Sequence, residues 1–456
     1  MTDNLGHLPS EIADRFTKPF LRFVRIESAA AAILLVFTLG ALTLSNSPWS
    51  RDFLAFWDTP VGLHLGAFEF SRSLKHWIND GLMTLFFFVV ALELKRELVL
   101  GELTNRRMAA LSLAGALGGM LVPAALYVML QRGEPGAHGW GTVMATDTAF
   151  LVGCLAVLGS RIPQSLRVFL LSLAIFDDIG AILVVAIGYG GELNWMAAAL
   201  GAVGFAIVFG MAQFGIRSIP IYFLIGGLIW LAMDASGVHA TIAGVLLGLM
   251  TPTGGWVSDR RLHAILDRVM ARPRGDDGRG NEDKGARKAL ALARVATREA
   301  LSPVERLEMM LHPWVGFVIM PLFAFANAGV QFSFGDFGSA VTVAIFVGFA
   351  VGKPLGVLTL SWLAVRLGIA TRPPDLSWGL VAAGGLLTGI GFTMAIFIAD
   401  LAFGHDLLDA AKLGILSASA ASAIAGVLTL AWLTSRRSDR RAAGMGPSKH
   451  AKRLAT

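Results

Sequence analysis

Two adjacent acids lie within one of the most apolar stretches of the sequence. Asp177 and Asp178 belong to the run AIFDDIGA at 174–181, inside an apolar segment that extends from Leu166 to Tyr189. A helix of about 20 apolar residues spans the hydrocarbon of a bilayer. An acid at that depth costs roughly 2.5–3.5 kcal/mol on insertion scales. The pair therefore predicts a functional site, and the simpler alternative is a structural ion pair between helices.

Three further polar residues fall inside apolar segments. Thr146 and Asp147 lie midway through the segment 140–158, and Lys353 lies near the middle of 341–364. One lysine cannot neutralise three acids, which favours function over a structural ion pair. Because neighbouring residues of a helix point about 100° apart, one acid of the pair can face Lys353 while the other faces a water-filled path. Carboxylate and hydroxyl oxygens suit a hard cation.

Helix-breaking residues accompany these polar groups. The run TDT at 146–148 lies in one apolar segment, and the glycine-rich run LTGIGFT at 387–393 lies in another. Pro354 follows Lys353 and is expected to break its helix locally. Glycine alone also serves close packing of membrane helices. Two interrupted helices, one in each half of the chain, point more strongly to a transporter site.

Composition and hydropathy predict an all-α polytopic membrane protein. Of 456 residues, 55% are hydrophobic and 15% are charged, against about 25% charged in soluble domains. The first apolar segment resembles a signal peptide but lacks a small-residue cleavage site, so we interpret it as a retained span. Cys154, the single cysteine, excludes an internal disulfide. Twelve segments are predicted to span the membrane: 28–44, 77–94, 108–130, 140–158, 166–189, 195–214, 219–232, 238–250, 313–330, 341–364, 379–403 and 411–434.

The distribution of basic residues predicts the orientation. With twelve spans and both termini cytoplasmic, most of the 38 Lys and Arg residues fall on the cytoplasmic side, as the positive-inside rule requires. The net charge of +6 is then a topological signal, and no nucleic-acid partner is expected. The predicted cytoplasmic parts are an N-terminal segment at 1–25, a long loop at 253–302 inside the twelve-helix region 26–434, and a basic tail at 435–456.

The polar segments carry their own expectations. Within 58–73, alternating apolar residues around a Gly-Ala pair predict a short β-hairpin. In the long loop, 272–285 is expected to be disordered and 286–299 to form a surface helix. The tail from Ser435 is expected to be unstructured and either solvated or in contact with anionic lipid.

A second group of titratable residues lies near predicted helix ends. Glu93 and Glu97 form an i, i+4 pair in the run LELKREL, Glu308 lies in LEMMLHPW, and His239 lies in SGVHAT. A solvated helix end explains the acids equally well, and a lone histidine at a helix start is more often structural. An unperturbed histidine nevertheless titrates near neutral pH.

Eight motifs together resemble those of the bacterial NhaA sodium/proton antiporters, in the family's order, over residues 26–434. They are LELKREL at 92–98, ATDTAF at 145–150, AIFDDIGA at 174–181, SGVHAT at 236–241, HPW at 312–314, PLFAFANAG at 321–329, GKPLG at 352–356 and GIGFTM at 389–394. The resemblance implies twelve helices with inverted-topology repeats, and two interrupted helices that cross at mid-membrane. The general rule about broken helices was drawn partly from this family.

The resemblance also implies roles for individual residues. Asp178 matches the main ion-binding carboxylate, and Asp177 matches a neighbour that exchanges between Lys353 and the transported ions. Asp147 and Lys353 would offset opposite helix ends at the crossing, with Thr146 beside the ion site. Residues matching the family's pH-response positions are Glu93, Glu97, His239 and Glu308. The periplasmic hairpin at 58–73 matches a dimer contact, so a homodimer is implied.

We therefore expect a pH-regulated antiporter in the bacterial inner membrane that supports pH homeostasis. It would export Na⁺ or Li⁺ from the cytoplasm in exchange for periplasmic protons, electrogenically and by alternating access, with sodium and protons competing for Asp177 and Asp178. No cofactor and no enzymatic activity are expected, and membrane lipid is the other expected partner. A sodium-coupled symporter of the same fold is the main alternative, followed by a channel and an intramembrane aspartyl protease. No P-loop occurs in the sequence, which argues against an ATP-driven pump.

Overall fold

The computed structural model describes residues 27–65, 68–99, 106–190, 193–216, 218–255, 259–270, 290–297, 299–332 and 335–444. The predicted N-terminal segment 1–25, the segment 272–285 that is expected to be disordered, and the tail beyond 444 lie outside these residues. Within them the chain is almost entirely helical, as predicted.

The described fold includes fifteen α-helices, one longer 3₁₀ helix and one hairpin. In chain order they are α1 (Glu27–Ser45), α2 (Ser50–Trp57), β1 (Pro60–Leu65), β2 (Phe68–Ser73), α3 (Leu74–Val99), α4 (Arg106–Leu130), a 3₁₀ helix (Pro135–Val143), α5 (Thr148–Leu158), α6 (Gln164–Gly188), α7 (Trp195–Gln213), α8 (Ile219–Ala235), α9 (Thr241–Met250), α10 (Asp259–Met270), α11 (Pro303–Asn327), α12 (Ala340–Arg366), α13 (Trp378–Thr388), α14 (Phe392–Ala402) and α15 (His405–Gly444).

Among the described residues, seven helices are long and apolar enough to cross a membrane. Three bent pairs bring the number to as many as ten: α1 with α2, the 3₁₀ helix with α5, and α13 with α14. Two shorter apolar helices, α8 and α9, match the seventh and eighth predicted segments. The chain is thus a multi-pass membrane protein, and the count of twelve crossings stays a prediction.

The chain divides into two compact units. The first comprises residues 1–83, 105–191 and 313–456, and the second comprises 84–104 and 192–312.

Close helix packing organises the first unit. The tightest approach joins α4 to α12, where a Cβ built on Gly118 would overlap the carbonyl of Gly356. Glycine at both positions therefore allows the two backbones to touch. Helix α6 packs on α4, α13 packs on α12 and α15, and α1 packs on α5 and the second half of α11. This packing holds the middle of α6 beside the middle of α12.

The predicted hairpin is present in the first unit. Strands β1 and β2 are antiparallel, with a register that runs from Pro60 opposite Ser73 to Leu65 opposite Phe68. The indole Nε1 of Trp77 donates to the carbonyl of Val61 at 2.8 Å, which ties the hairpin to the start of α3.

The second unit has a small apolar core. Val208, Ile229, Met233 and Ala243 are buried together between α7, α8 and α9. Asn194 caps α7 by accepting hydrogen bonds from the amides of Met196 and Ala197. A Cβ on Gly244 would overlap the carbonyl of Thr84, so α9 lies directly against the part of α3 that belongs to this unit.

Three local expectations need correction or completion. Pro354 does not break its helix. Proline cannot donate a backbone hydrogen bond, but a π-helical turn at Gly348–Gly352 accommodates this loss and α12 continues. The tail expected to be unstructured from Ser435 is helical to Gly444, since α15 extends through good helix formers such as Ala and Arg. Helix α10 was not predicted, whereas the described part of the surface helix, 290–297, is helical and mostly exposed.

Candidate functional site

Two interrupted helices meet in the first unit. The 3₁₀ helix and α5 are bent by 45° at residues 144–147, and α13 and α14 are bent by 49° at residues 389–391. The backbone amide of Asp147 donates to the carbonyl of Ile390 at 2.7 Å, so the two breaks are in direct contact. Each break lies in the segment where the sequence predicted it.

Asp147 caps the two helices that begin at these breaks. Its carboxylate accepts a hydrogen bond from the amide of Phe150 in α5 at 3.0 Å and from the amide of Thr393 in α14 at 3.0 Å. The Thr393 hydroxyl also donates to this carboxylate. Helix N-termini carry partial positive charge, and this buried anion faces two of them, as the resemblance implied.

Lys353 occupies the opposite electrostatic position. The Thr146 hydroxyl accepts a hydrogen bond from its ammonium and donates to the carbonyl of Thr388 at 3.0 Å. Thr388 is the last residue of α13, where the unpaired carbonyls of a helix carry partial negative charge. The lysine thus lies near the C-terminal end of one interrupted helix, while Asp147 lies at two N-terminal ends.

The acid pair of α6 reaches this cluster. Nζ of Lys353 lies 2.7 Å from Oδ2 of Asp177, and both side chains are 1% exposed. Asp178 is also buried, and its Oδ2 accepts a hydrogen bond from the Thr148 hydroxyl at 3.3 Å. The two adjacent acids therefore have different partners, as the helical geometry predicted.

The packing of α12 fixes the position of Lys353. A π-helical turn directly precedes this residue, and such turns are frequent at functional sites. The Lys353 ammonium lies 6.0 Å from the ring centroid of Phe349, whose ring would overlap a Cβ at Gly391. The glycine of the second break thus makes room for the ring that supports the lysine.

The structure unites all five predicted ion-site residues, which are Thr146, Asp147, Asp177, Asp178 and Lys353. It adds four that sequence reasoning did not assign: Thr148, Thr388, Thr393 and Ser419. Ser419 of α15 accepts a hydrogen bond from the amide of Phe392, the first residue of α14. The three threonines could have been found from the sequence, because each has a hydroxyl next to a helix break, where side-chain oxygens replace lost backbone partners. Ser419 had no such local signal.

The predicted pH-response residues belong to the second unit. Arg96 donates to Glu308 at 2.8 Å and to Glu97 at 3.0 Å, and Glu93 lies within electrostatic reach of Glu308. The three acids therefore form one cluster around Arg96. His239 lies at the start of α9, where its carbonyl accepts a hydrogen bond from the amide of Ile242.

The buried acids of this cluster need a compensating positive charge. Oδ1 of Asp177 is buried and has no hydrogen-bond partner among the described residues. A buried carboxylate is stable only when protonated or paired with a cation. Lysine, a proton or a small metal cation can each meet that need at Asp177, and oxygen ligands favour a hard cation.

Comparison with known proteins identifies similar chains. The family model described as Na⁺/H⁺ antiporter 1 matches residues 21–430. A Rhizobium meliloti protein named Na(+)/H(+) antiporter NhaA is 64% identical over 435 residues, which cover 95% of this chain and 99% of that protein. A Vibrio vulnificus protein named Na(+)/H(+) antiporter NhaA 2 is 53% identical, with 96% and 98% covered. The solved sodium proton antiporter MjNhaP1 of Methanocaldococcus jannaschii matches with a TM-score of 0.45 and 12% identity, with 89% and 91% covered.

Proposed function

The chain belongs to the Na⁺/H⁺ antiporter 1 family as an NhaA-type protein, and from that premise we propose that it exports Na⁺ or Li⁺ in exchange for periplasmic protons. One observation carries the proposal for this chain's own residues: the buried Lys353–Asp177 ion pair lies beside a second buried acid at the contact between two interrupted helices. The family's description as an antiporter implies a transporter rather than an enzyme.

Sodium and protons compete for the same carboxylates in this mechanism. At the alkaline cytoplasmic face, Asp178 and the Lys353 ammonium each lose a proton, and sodium binds between Asp178 and Asp177. After the site opens outward, one proton returns to Asp178 and one to Lys353, sodium leaves, and the Lys353 ammonium pairs with Asp177 again. The Thr146 and Thr148 hydroxyls supply nearby neutral oxygens.

Coupling follows from the cost of moving a bare charged site. An unpaired carboxylate in low dielectric is expensive, so only the protonated or cation-bound site reorients cheaply. Exchange is electrogenic when more protons than sodium charges are carried in each cycle. Two acids and one lysine can together release more than one proton for each sodium ion bound.

The membrane arrangement completes the proposal. Twelve spans, with α8 and α9 among them, give both termini a cytoplasmic location in the bacterial inner membrane and satisfy the positive-inside rule. The two interrupted spans belong to inverted repeats and cross at mid-membrane. The hairpin β1–β2 then lies in the periplasm and forms a homodimer contact. The acid cluster around Arg96, together with His239, adjusts activity to cytoplasmic pH.

The test uses everted membrane vesicles from bacteria that lack sodium/proton antiporters. An acid-inside pH gradient is built, sodium or lithium is added, and a pH-sensitive dye follows the gradient from mildly acidic to mildly alkaline pH. Collapse of the gradient that grows with pH and is lost in Asp178→Asn is the expected result. No collapse at any pH, with the protein present in the membrane, would contradict antiport and favour a sodium-coupled symporter.

A further inference from the structure

A second polar cluster lies in the first unit, away from the ion site. This outer polar cluster consists of Lys75, Asn79, Asn327 and Asp400. Oδ1 of Asp400 lies 2.6 Å from Nζ of Lys75, and its Oδ2 accepts a hydrogen bond from Nδ2 of Asn79 at 2.9 Å. Asn79 and Asn327 bond to each other in both directions, at 2.7 and 3.2 Å. The cluster repeats one feature of the ion site, a lysine ammonium paired with a carboxylate.

Helix α14 connects this cluster to the ion site. Thr393, which bonds to Asp147, is the second residue of the helix, and Asp400 follows seven residues later. Seven residues make nearly two turns, so both side chains lie on nearly the same face, about 10 Å apart along the axis. Phe397 lies on this face between them. Along this face the helix therefore carries Thr393, which bonds to Asp147, then the ring of Phe397, and then the carboxylate of Asp400.

Helix α11 presents a matching succession. Phe323 and Asn327 are one turn apart, and Asn327 belongs to the outer polar cluster. The rings of Phe323 and Phe397 pack edge to face, with centroids 6.3 Å apart. Between these two helices, the aromatic pair Phe323 and Phe397 thus lies about one turn before the polar pair Asn327 and Asp400. In the proposed topology this succession leads from the ion site toward the periplasm.

The cluster is open on one side and closed on the other. The side chains of Lys75 and Asp400 are 24% and 20% exposed, whereas Asn327 is fully buried. Asn79 lies in a π-helical turn, Trp77–Leu82, as Lys353 follows one in α12. A cation that replaced the Lys75 ammonium would meet Oδ1 of Asp400, while the Asn79 amide holds Oδ2. Because this side of the cluster is partly exposed, water can complete the oxygen shell that a hard cation prefers.

We propose that the outer polar cluster is a second, transient cation site on the periplasmic side, where Na⁺ takes the place of the Lys75 ammonium on Asp400. This inference rests on the proposed antiport. Lys412 of α15, buried and within electrostatic reach of both Lys75 and Asp400, adds positive charge that keeps the affinity low. Conduction requires sites that bind weakly enough to release the ion.

The test compares apparent KM values for Na⁺ at the two membrane faces. Acid-inside vesicles are prepared in right-side-out and everted orientation, and the initial rate of gradient collapse is measured against added Na⁺. The readout is the ratio of outer to inner KM. Asp400→Asn removes a charged ligand and should raise this ratio about tenfold. Lys75→Met removes the competing ammonium and should lower it about threefold, as expected for a partly exposed ion pair.

Glu134→Gln and Arg132→Met are matched controls, because both residues are exposed and lie in the loop that precedes the 3₁₀ helix. Opposite shifts in the two cluster variants support the site. Shifts in the same direction would indicate that the Lys75–Asp400 ion pair has only a structural role, and they would overturn the inference. Ratios that match those of the controls would also overturn it. Should Asp400→Asn fail to fold, Lys75→Met decides alone: a lowered ratio supports the site and any other ratio overturns it. A wild-type protein without exchange from either face would instead contradict antiport itself.

Discussion

Nζ of Lys353 lies 2.7 Å from Oδ2 of Asp177, and the exposed fraction of each side chain is 1%. Removing one partner of a buried ion pair leaves an uncompensated charge, which costs about 3–5 kcal/mol. The pair is therefore stable while both charges are present, and a transported cation or a proton must replace the lysine at Asp177 for it to open. This requirement links the stability of the protein to its proposed transport cycle.

Lys353→Ala should lower the free energy of unfolding by about 3–5 kcal/mol at alkaline pH. The loss should shrink at acidic pH, because a protonated Asp177 no longer needs a cation. Adding Asp177→Asn to the same chain should restore part of the stability for the same reason. Thermal unfolding of the detergent-purified protein measures Lys353→Ala, Asp177→Asn and the double variant. Losses that simply add in the double variant would contradict coupling between the two residues.

Asp178→Asn should abolish sodium-driven gradient collapse while leaving expression and thermal stability near wild type. The amide keeps the shape of the side chain and removes the negative charge that binds the cation. The vesicle assay measures exchange, and Glu134→Gln serves as the control, since it removes an exposed carboxylate. Full activity in Asp178→Asn would show that the ion site is elsewhere.

Much of this site was predictable because charged residues in apolar segments are rare and have few possible partners. Sequence alone indicated that one acid of the pair faces Lys353, but the choice of Asp177 came from the family resemblance. The direct bond from Asp147 to Ile390 could not be predicted, because it depends on the tertiary packing of two breaks far apart in the chain. Ser419 was missed for the same reason.

The fold shows a similar division. Apolar segments located the long helices, and alternation located the hairpin. The predictions of an unstructured tail from Ser435 and of a helix break at Pro354 were wrong: α15 extends to Gly444, and α12 is continuous through Pro354. Both predictions rested on local composition, whereas an existing helix extends easily into adjoining residues. Helix α10 was missed although its sequence carries a signal, because Leu262, Ile265, Leu266 and Val269 have the spacing of an amphipathic helix.

Substitutions at Asp147 should separate its capping role from its charge. Asp147→Ala removes the acceptor for the amides of Phe150 and Thr393 and should cost about 2–4 kcal/mol, since each buried donor left unpaired costs about 1–3 kcal/mol. Asp147→Asn keeps one acceptor oxygen and should cost less than half as much. Unfolding of both variants in detergent measures the difference, and equal losses would show that the charge dominates.

The exposed face of the hairpin should govern dimerisation. Val61 is exposed on β1 and pairs across the hairpin with Arg72, so Val61→Asp creates a favourable cross-strand pair and preserves the strands. The new charge should nevertheless weaken an apolar contact between protomers. Light scattering of the purified protein should show a shift toward monomer. An unchanged mass at the same protein concentration would argue against a dimer contact through 58–73.

Glu308→Gln should shift the pH profile of exchange toward alkaline pH while changing the maximal rate little. The glutamine permanently mimics the protonated side chain, and Arg96 then retains only Glu97 as a direct acidic partner among the contacts described above. A partly exposed ion pair contributes up to about 1 kcal/mol, and one pKa unit corresponds to about 1.4 kcal/mol. The midpoint should therefore move by roughly half a pH unit.

Glu305→Gln is the matched control for this shift. Glu305 lies one turn before Glu308 on α11 and accepts hydrogen bonds from the amide and hydroxyl of Ser302, a capping arrangement that glutamine can also form. Both variants remove one carboxylate charge from the same helix end, but only Glu308 is paired with Arg96. A profile that moves in Glu308→Gln and stays in place in Glu305→Gln would assign pH response to the Arg96 cluster. Equal shifts in both would assign it to the overall charge of the helix end.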